Sequence, residues 1–264
     1  MDYSIKKPKI KFPKDCHGDL PPHWSETVNN LPSPDKGFCL GLVGMRNSGK
    51  TLLLYNLLSR FYKGCFDIVI IFSPTAVHSD PTLSPESLGL PIGCFREHID
   101  VDLINGIMKQ QEQEKEEYDK EMKRKDRKIK PEPLKRVLFV FDDCLSDDVL
   151  ANRVNANDNI INKLCYRGRH ASCSMIICSQ YYKALPPKSR VNIPNWIFFA
   201  TNNGKERKSI EEEQSGALNE KTFNMMFDHA TNEQYSFFYI FYDCPDKKHR
   251  YRKNIDTILN VSEL

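Results

Sequence analysis

Eight consecutive residues, Gly44-Met45-Arg46-Asn47-Ser48-Gly49-Lys50-Thr51, constrain this chain more than any other feature. They spell a complete G-x-x-x-x-G-K-[ST] motif, with the apolar run 38–43 directly before it and a helical pattern, Leu52 to Phe61, directly after it. A glycine-rich turn from strand into helix lets backbone N–H groups close around phosphate oxygens, and the positive end of the helix adds to the attraction. Lys50 reaches the β- and γ-phosphates as a point charge, and Thr51 offers its hydroxyl to Mg²⁺. Gly44, Met45, Arg46, Asn47, Ser48, Gly49 and Leu52 complete the expected cradle. A turn that bound nothing would need neither the lysine nor the threonine, so the expected ligand is a nucleoside triphosphate with Mg²⁺.

The chain has 264 residues, 40% hydrophobic and 28% charged, which fits one large α/β domain with appendages better than two equal domains. A net charge of +3 permits nucleic-acid binding through local patches without requiring it. The nine cysteines are scattered, never spaced C-x-x-C, and several interrupt apolar runs as small buried side chains do. That pattern predicts a reducing compartment without a zinc site or a disulfide framework. The start carries no apolar signal region and the apolar runs are too short to span a bilayer, so a soluble, cytoplasmic protein without a membrane partner is expected.

Residues 1–35 are rich in Lys and Pro and read as a basic, partly extended arm. The ATPase domain is expected over 36–258, with a tail at 259–264. A second apolar run, 66–72, reads as a strand buried on both faces. A short helix around Val101 to Met108 leads into a charged helical insertion at about 107–132, whose polar stretch, 110–130, is acidic first and basic last, the order a helix dipole favours. A solvated surface helix is the plain reading of it, a DNA-gripping arm the other.

Val137-Leu138-Phe139-Val140-Phe141 predicts a central strand that delivers Asp142 and Asp143 to its carboxyl end, the edge where ligands bind in open α/β sheets. Asp142 is expected to hold Mg²⁺. Asp143 is then placed to polarise the attacking water as general base. The apolar run 173–179 ends in Gln180. In ATPases with an extra central strand, such an amide senses the γ-phosphate from a strand lying between the phosphate-loop strand and the metal-binding one.

Taken together, Arg169-His170-x-x-x-x-Met175-Ile176-Ile177-x-x-Gln180, then Leu185-Pro186 and Arg190-x-Asn192, then the strand at 235–242 and Tyr251-Arg252-x-Asn254, resemble the FtsK/HerA superfamily of DNA-pumping ATPases. Within it the resemblance is to the genome-packaging ATPases of large double-stranded DNA viruses and virophages, the poxvirus type, and it covers roughly 36–258. The charged insertion is longer than the family pattern, and Asp143 stands where many relatives carry Glu. The resemblance implies a RecA-like P-loop sheet of order 5-1-4-3-2 with added C-terminal strands. It also implies a homopentamer or homohexamer with ATP sites between subunits, and sequence-independent passage of duplex DNA through the pore. Capsid or portal-vertex proteins are implied as docking partners, in the host cytoplasm, a virus factory or the virion. A trans-acting arginine is needed to stabilise charge on the transferring phosphoryl group. Arg169 stands at the family's position ahead of the sensor strand and is the first candidate, with Arg190 and Arg167 behind it. Lys183, Lys188, Lys205, Arg207 and Lys208 are candidates for contacts to DNA phosphates.

Other nucleotide-binding classes are separable on residues. A GTPase needs N-K-x-D and D-x-x-G, whereas Asn162-Lys163-Leu164-Cys165 lacks the acid and Asp142-Asp143-Cys144-Leu145 lacks the glycine. A non-hydrolysing ring subunit has no physical need for Lys50, Thr51, Asp142, Asp143 and Gln180 together. A conjugation or secretion motor shares all of these residues and stays open.

Overall fold

The computed structural model describes residues 24, 30–75, 81–124, 132–144, 159–216 and 218–260. The first strand, β1 (Cys39–Val43), runs into the phosphate loop and α1 (Lys50–Asn56), which continues through a π-helical turn, Leu57–Phe61. Then follow β2 (Ile68–Phe72), a short helical turn at Pro85–Leu88, β3 (Phe95–Arg96), α2 (Val101–Lys123) and β4 (Val137–Asp142). The second half comprises α3 (Ile160–Arg167), β5 (Cys173–Ser179), α4 (Pro187–Asn192), β6 (Asn195–Phe199), α5 (Gly204–Gln214) and α6 (Glu220–Ala230). It closes with β7 (Phe237–Phe241), β8 (Tyr251–Lys253) and β9 (Thr257–Ile258).

All nine strands form one sheet, in the order β3-β2-β4-β5-β1-β6-β7-β8-β9. From β3 to β6 every pairing is parallel, whereas β7, β8 and β9 add antiparallel strands beyond β6. Leaving aside the two-residue edge strand β3, the parallel strands β6-β1-β5-β4-β2 take the expected order 5-1-4-3-2, with the sensor strand β5 between β1 and β4.

The parallel strands read as unbroken apolar runs because both faces are covered. Val137, Phe139 and Phe141 of β4 join one core cluster, with Ile104 and Met108 of α2 and Phe223 and Phe227 of α6. Leu138 and Val140 join the other, with Leu53, Leu54, Leu57 and Leu58. Seven of the cysteines are buried in this core, as small hydrophobes, and all eight described cysteines are free thiols.

Two segments differ from the sequence expectation. Trp24 and Leu31, assigned to the arm, are buried, and Trp24 stacks on Tyr62 with ring centroids 5.2 Å apart. The remainder of 1–29 lies outside the described residues. The short helix at 101 does not stop at Met108: Asp100 caps its start by accepting from the Leu103 amide at 2.9 Å, and α2 runs unbroken to Lys123. Only its first half touches the core, through Ile104, Met108 and Gln111. The polar remainder is the solvated face that its i,i+4 charge order favours, while the basic residues at 125–131 lie outside the described residues.

Because β1, β2, β4, β5 and β6 run parallel, their carboxyl ends share one edge of the sheet. The antiparallel β7 begins there too, since Phe237 pairs with Phe199.

Candidate nucleotide site

That edge carries the phosphate loop. Its entry is fixed by the Gly44 amide, which donates to the Ser179 carbonyl at 3.1 Å and so ties the loop to the end of β5. A side chain at Gly44 would meet Ser48 Oγ at 2.5 Å and Phe199 Cβ at 2.8 Å, so only glycine lets the loop turn back this tightly. Gly49 has φ 103, a backbone conformation that ordinary side chains avoid. Asn47, at φ 63, is the type of residue that tolerates the left-handed region. Met45, Arg46 and Asn47 are exposed at the mouth of the loop, and Leu52 is exposed just beyond it.

Lys50 Nζ donates to the carbonyls of Gly44 at 2.5 Å and Met45 at 2.9 Å, folding back over the loop that precedes it. Burial lowers its pKa from the ordinary lysine range, and the charges of Cys178, Asp143 and Asp142 oppose that shift. The ammonium therefore lies within electrostatic reach of both acids.

Asp142 closes β4, buried, and accepts from Ser73 Oγ at 3.3 Å. The register sets it beside Cys178, one residue from the Val43 and Ser179 pair that precedes the loop. Asp143 follows with φ 54, a left-handed residue that swings its carboxylate off the strand. Gln180 Nε2 donates to Asp143 Oδ2 at 2.7 Å, joining the sensor amide to the second acid across the ends of β5 and β4. The sensor loop is itself held: the Ser179 hydroxyl donates to the Tyr181 carbonyl at 2.6 Å and accepts from the Tyr181 amide at 3.1 Å.

These residues suit a triphosphate with Mg²⁺. Ser48 Oγ, inside the loop, is buried with no hydrogen-bond partner, a polar atom suited to a phosphate oxygen. Among the described residues no group of three or more His, Cys, Asp and Glu could hold a metal unaided. A Mg²⁺ held by Asp142 and Thr51 would therefore take its remaining ligands from phosphate and water, as this ion commonly does.

The arginine candidates do not gather at this edge. Arg190 is buried and committed: it donates to both carboxylate oxygens of Glu213 at 2.8 and 2.9 Å and to the Leu185 carbonyl at 2.6 Å. Its guanidinium also lies 5.1 Å from the Tyr182 ring centroid. Rigidly engaged in this way, it is set aside as a trans finger. Arg167 pairs with Glu112 at 2.9 Å. Arg169 is exposed at the amino end of β5, its Cα 3.2 Å from the place a side chain on Gly37 would fill. The seven residues of β5, roughly 20 Å of strand, separate it from Gln180. It therefore cannot serve its own chain's loop.

Among the DNA candidates, Arg207 is also engaged: it stacks 3.5 Å from the Phe227 ring centroid and pairs with Asp228 at 3.0 Å. Lys183, Lys188, Lys205 and Lys208 are exposed. Ser73, which steadies Asp142, carried no recognisable signal, because a serine after a strand is commonplace.

The sheet order, the double acid and the amide on β5 narrow the class of P-loop protein, and the family comparison decides it. A family model described as Poxvirus A32 protein matches residues 29–257. The chain belongs to the poxvirus A32 protein family. A comparison with curated protein sequences returns no match. Among solved structures, the genome packaging NTPase B204 from Sulfolobus turreted icosahedral virus 2, in complex with AMPPCP, is similar at a TM-score of 0.53. It is 16% identical over 80% of this chain and 94% of that one. B204 from Sulfolobus turreted icosahedral virus, described as a DNA-packaging ATPase, gives 0.52 at 18% identity over 80% and 95%. The pCW3 conjugation coupling protein TcpA with ATPgS gives 0.53 at 17% identity, over 78% of this chain and 57% of that one. This A32 family member thus shares its fold with these packaging NTPases, and its own sheet is mostly parallel with antiparallel strands at the C-terminal side. No helix among its described residues is long and apolar enough to cross a membrane.

Proposed function

We propose that the protein is an ATP-driven motor that packages viral double-stranded DNA into a capsid, working as a homopentameric or homohexameric ring with Mg²⁺-dependent hydrolysis. Membership of the A32 family and the fold shared with packaging NTPases support the cellular role. The observation that carries the chemistry is the 2.7 Å contact between Gln180 and Asp143, beside the loop that holds Lys50.

In the proposed reaction Lys50 exchanges the carbonyls of Gly44 and Met45 for phosphate oxygens. The Ser48 hydroxyl and the loop amides close on the same oxygens. Bound Mg²⁺, held by Thr51 and Asp142, would neutralise charge on the phosphates. Asp143, oriented by the Gln180 amide, accepts the proton of the attacking water. Gln180 shares its amide between the base and the γ-phosphate, so loss of that phosphate changes what Gln180 holds. Because the candidate arginines Arg167, Arg169 and Arg190 do not gather at this chain's own nucleotide edge, charge on the transferring group is met from a neighbouring subunit.

Turnover measured with and without duplex DNA tests this reading. We expect duplex DNA of any sequence to stimulate ATP hydrolysis, and Lys50→Ala to abolish nucleotide binding or turnover. Asp143→Asn should keep ATP affinity and lower turnover by about 10²–10⁴-fold, the usual scale for a general base. The asparagine can still accept from Gln180, so the geometry survives and the proton acceptor does not. Hydrolysis at the unaltered rate in Asp143→Asn removes the base assignment. The likeness to TcpA keeps a conjugation-type motor as the second reading, and failure of duplex DNA to stimulate turnover would favour other cargo.

A further inference from the structure

The residues described so far account for the phosphates and leave the nucleobase without a partner. We propose that Tyr235 is the platform on which the base stacks, an inference that rests on the nucleotide reading above. Tyr235 Cδ1 lies 3.1 Å, and its Cβ 3.5 Å, from the point where a side chain on Gly49 would begin, so the ring covers the last glycine of the phosphate loop. The side chain is nevertheless 54% exposed, and its backbone has φ 65, a region that bulky residues rarely occupy.

The surrounding segment holds it there. Lys253 Nζ, on a side chain only 7% exposed, donates to Asn232 Oδ1 at 2.9 Å and Glu233 Oε1 at 2.6 Å. The Ser236 hydroxyl donates to the Glu233 carbonyl at 2.8 Å and accepts from the Glu233 amide at 3.1 Å. On the next residue, the Phe237 amide donates to Asn254 Oδ1 at 3.2 Å. Phe199 lies 3.5 Å from the same Gly49 point and packs on Phe237 with centroids 5.4 Å apart, so the ground beneath the tyrosine is firm. A lone exposed aromatic needs no explanation. One kept in strained backbone by a buried lysine, against a phosphate loop, is placed for a ligand. Leu52, 53% exposed, stands one helical turn beyond Gly49 and offers an apolar neighbour to the same base. Such a platform reads the π-face of the base and not its edge, so purine nucleotides gain from their larger area and adenine is separated little from guanine.

The test is equilibrium binding of ATP and of inorganic tripolyphosphate to the unaltered chain and to Tyr235→Ala, Tyr235→Gly and Tyr235→Phe. The glycine variant suits φ 65 and keeps the test valid if alanine disturbs the segment. We expect alanine and glycine to raise the Kd for ATP roughly tenfold, the scale of base stacking on an aromatic ring, and to move tripolyphosphate by less than about twofold. Phenylalanine should bind as the unaltered chain does. An unchanged ATP Kd in Tyr235→Gly overturns the stacking role alone. Equal weakening of ATP and tripolyphosphate also overturns it, showing that the ring shapes the loop. An unaltered chain that binds neither compound, or a Lys50→Ala variant that binds both as well, overturns the nucleotide reading together with it.

Discussion

At the carboxyl edge of the sheet, Gly44, Lys50, Asp142, Asp143 and Gln180 come from three adjacent strands and meet within hydrogen-bond or electrostatic reach. The basic side chains proposed to act between molecules are scattered: Arg169 lies at the amino edge, Arg190 inside the fold, and Arg207 against an aromatic ring. The difference is one of constraint. A nucleotide must be gripped by one chain, so its ligands converge in that chain. A contact to a neighbour or to DNA needs only an exposed charge, and many arginines and lysines could supply one. A salt bridge or a cation–π contact inside the fold competes for the same residue types.

The comparison breaks first at Arg169. If it serves the neighbouring subunit, Arg169→Ala should leave ATP affinity nearly unchanged and cut turnover by roughly 10³-fold or more, the scale of an arginine finger. Mixing this variant with Lys50→Ala should restore part of the activity, because one interface in the mixed ring then has an intact loop and an intact arginine. Absence of recovery in rings shown to be mixed removes the trans role and returns Arg169 to the solvated surface.

Arg190 should behave in the opposite way, through stability. Removing one partner of a fully buried ion pair costs about 3–5 kcal/mol. The Glu213 side chain is 31% exposed, so water can partly replace Arg190; we expect Arg190→Ala to lower unfolding free energy by about 2–3 kcal/mol in urea titration. The hydrogen bond from Arg190 is the main cause of a lowered Glu213 pKa, opposed by burial and assisted by Tyr182. A depressed carboxylate contributes stability above its unfolded pKa of about 4.3, which is lost as pH falls through the folded value. Glu213→Gln should therefore flatten the acid limb of the stability profile. An Arg190→Ala chain as stable as the original, but inactive, would instead point to a catalytic role.

What could be read in advance follows the same division. The loop, the strand ending in two acids and the strand ending in Gln180 are local patterns, each specified by residues adjacent in sequence. Their alignment needed only the parallel order that the FtsK/HerA resemblance implied. The burial of Arg190, Arg252 and Lys253 was hidden, because each is fixed by a partner distant in sequence: Arg252 by Asn30, and Lys253 by Glu233. Trp24 and Leu31 were hidden as well. Their neighbours are Pro- and Lys-rich, and composition averages over the two apolar side chains that dock. Tyr235 reads in sequence only as part of the strand at 235–242, whereas the strand itself begins at Phe237, and nothing in the sequence sets Tyr235 apart from aromatics that are core or packed against it.

The smallest expected effect concerns the DNA track. Within the cluster Lys205, Arg207 and Lys208, Arg207 is held by Asp228, which leaves Lys205 and Lys208 at the start of α5 as its exposed cations. That helix follows β6 and so begins at the nucleotide edge. Lys208 has only a loose 3.9 Å pair with Glu212, both side chains well exposed, and such a pair does little to hold it from a phosphate. If both lysines touch the backbone of duplex DNA, each contact releases a counterion, and the slope of log affinity against log salt should fall by about 0.9 for each one removed. Lys205→Ala with Lys208→Ala should thus reduce the slope by about 1.8 and weaken DNA stimulation, while basal ATP hydrolysis stays as it was. An unchanged slope would move the track elsewhere, with exposed Lys247 and Lys248 as the next pair to replace. Arg207→Ala serves as the contrast: it should lower stability and leave the slope unaltered, and a slope reduced by that substitution alone would reverse the division between folded and outward-facing charge.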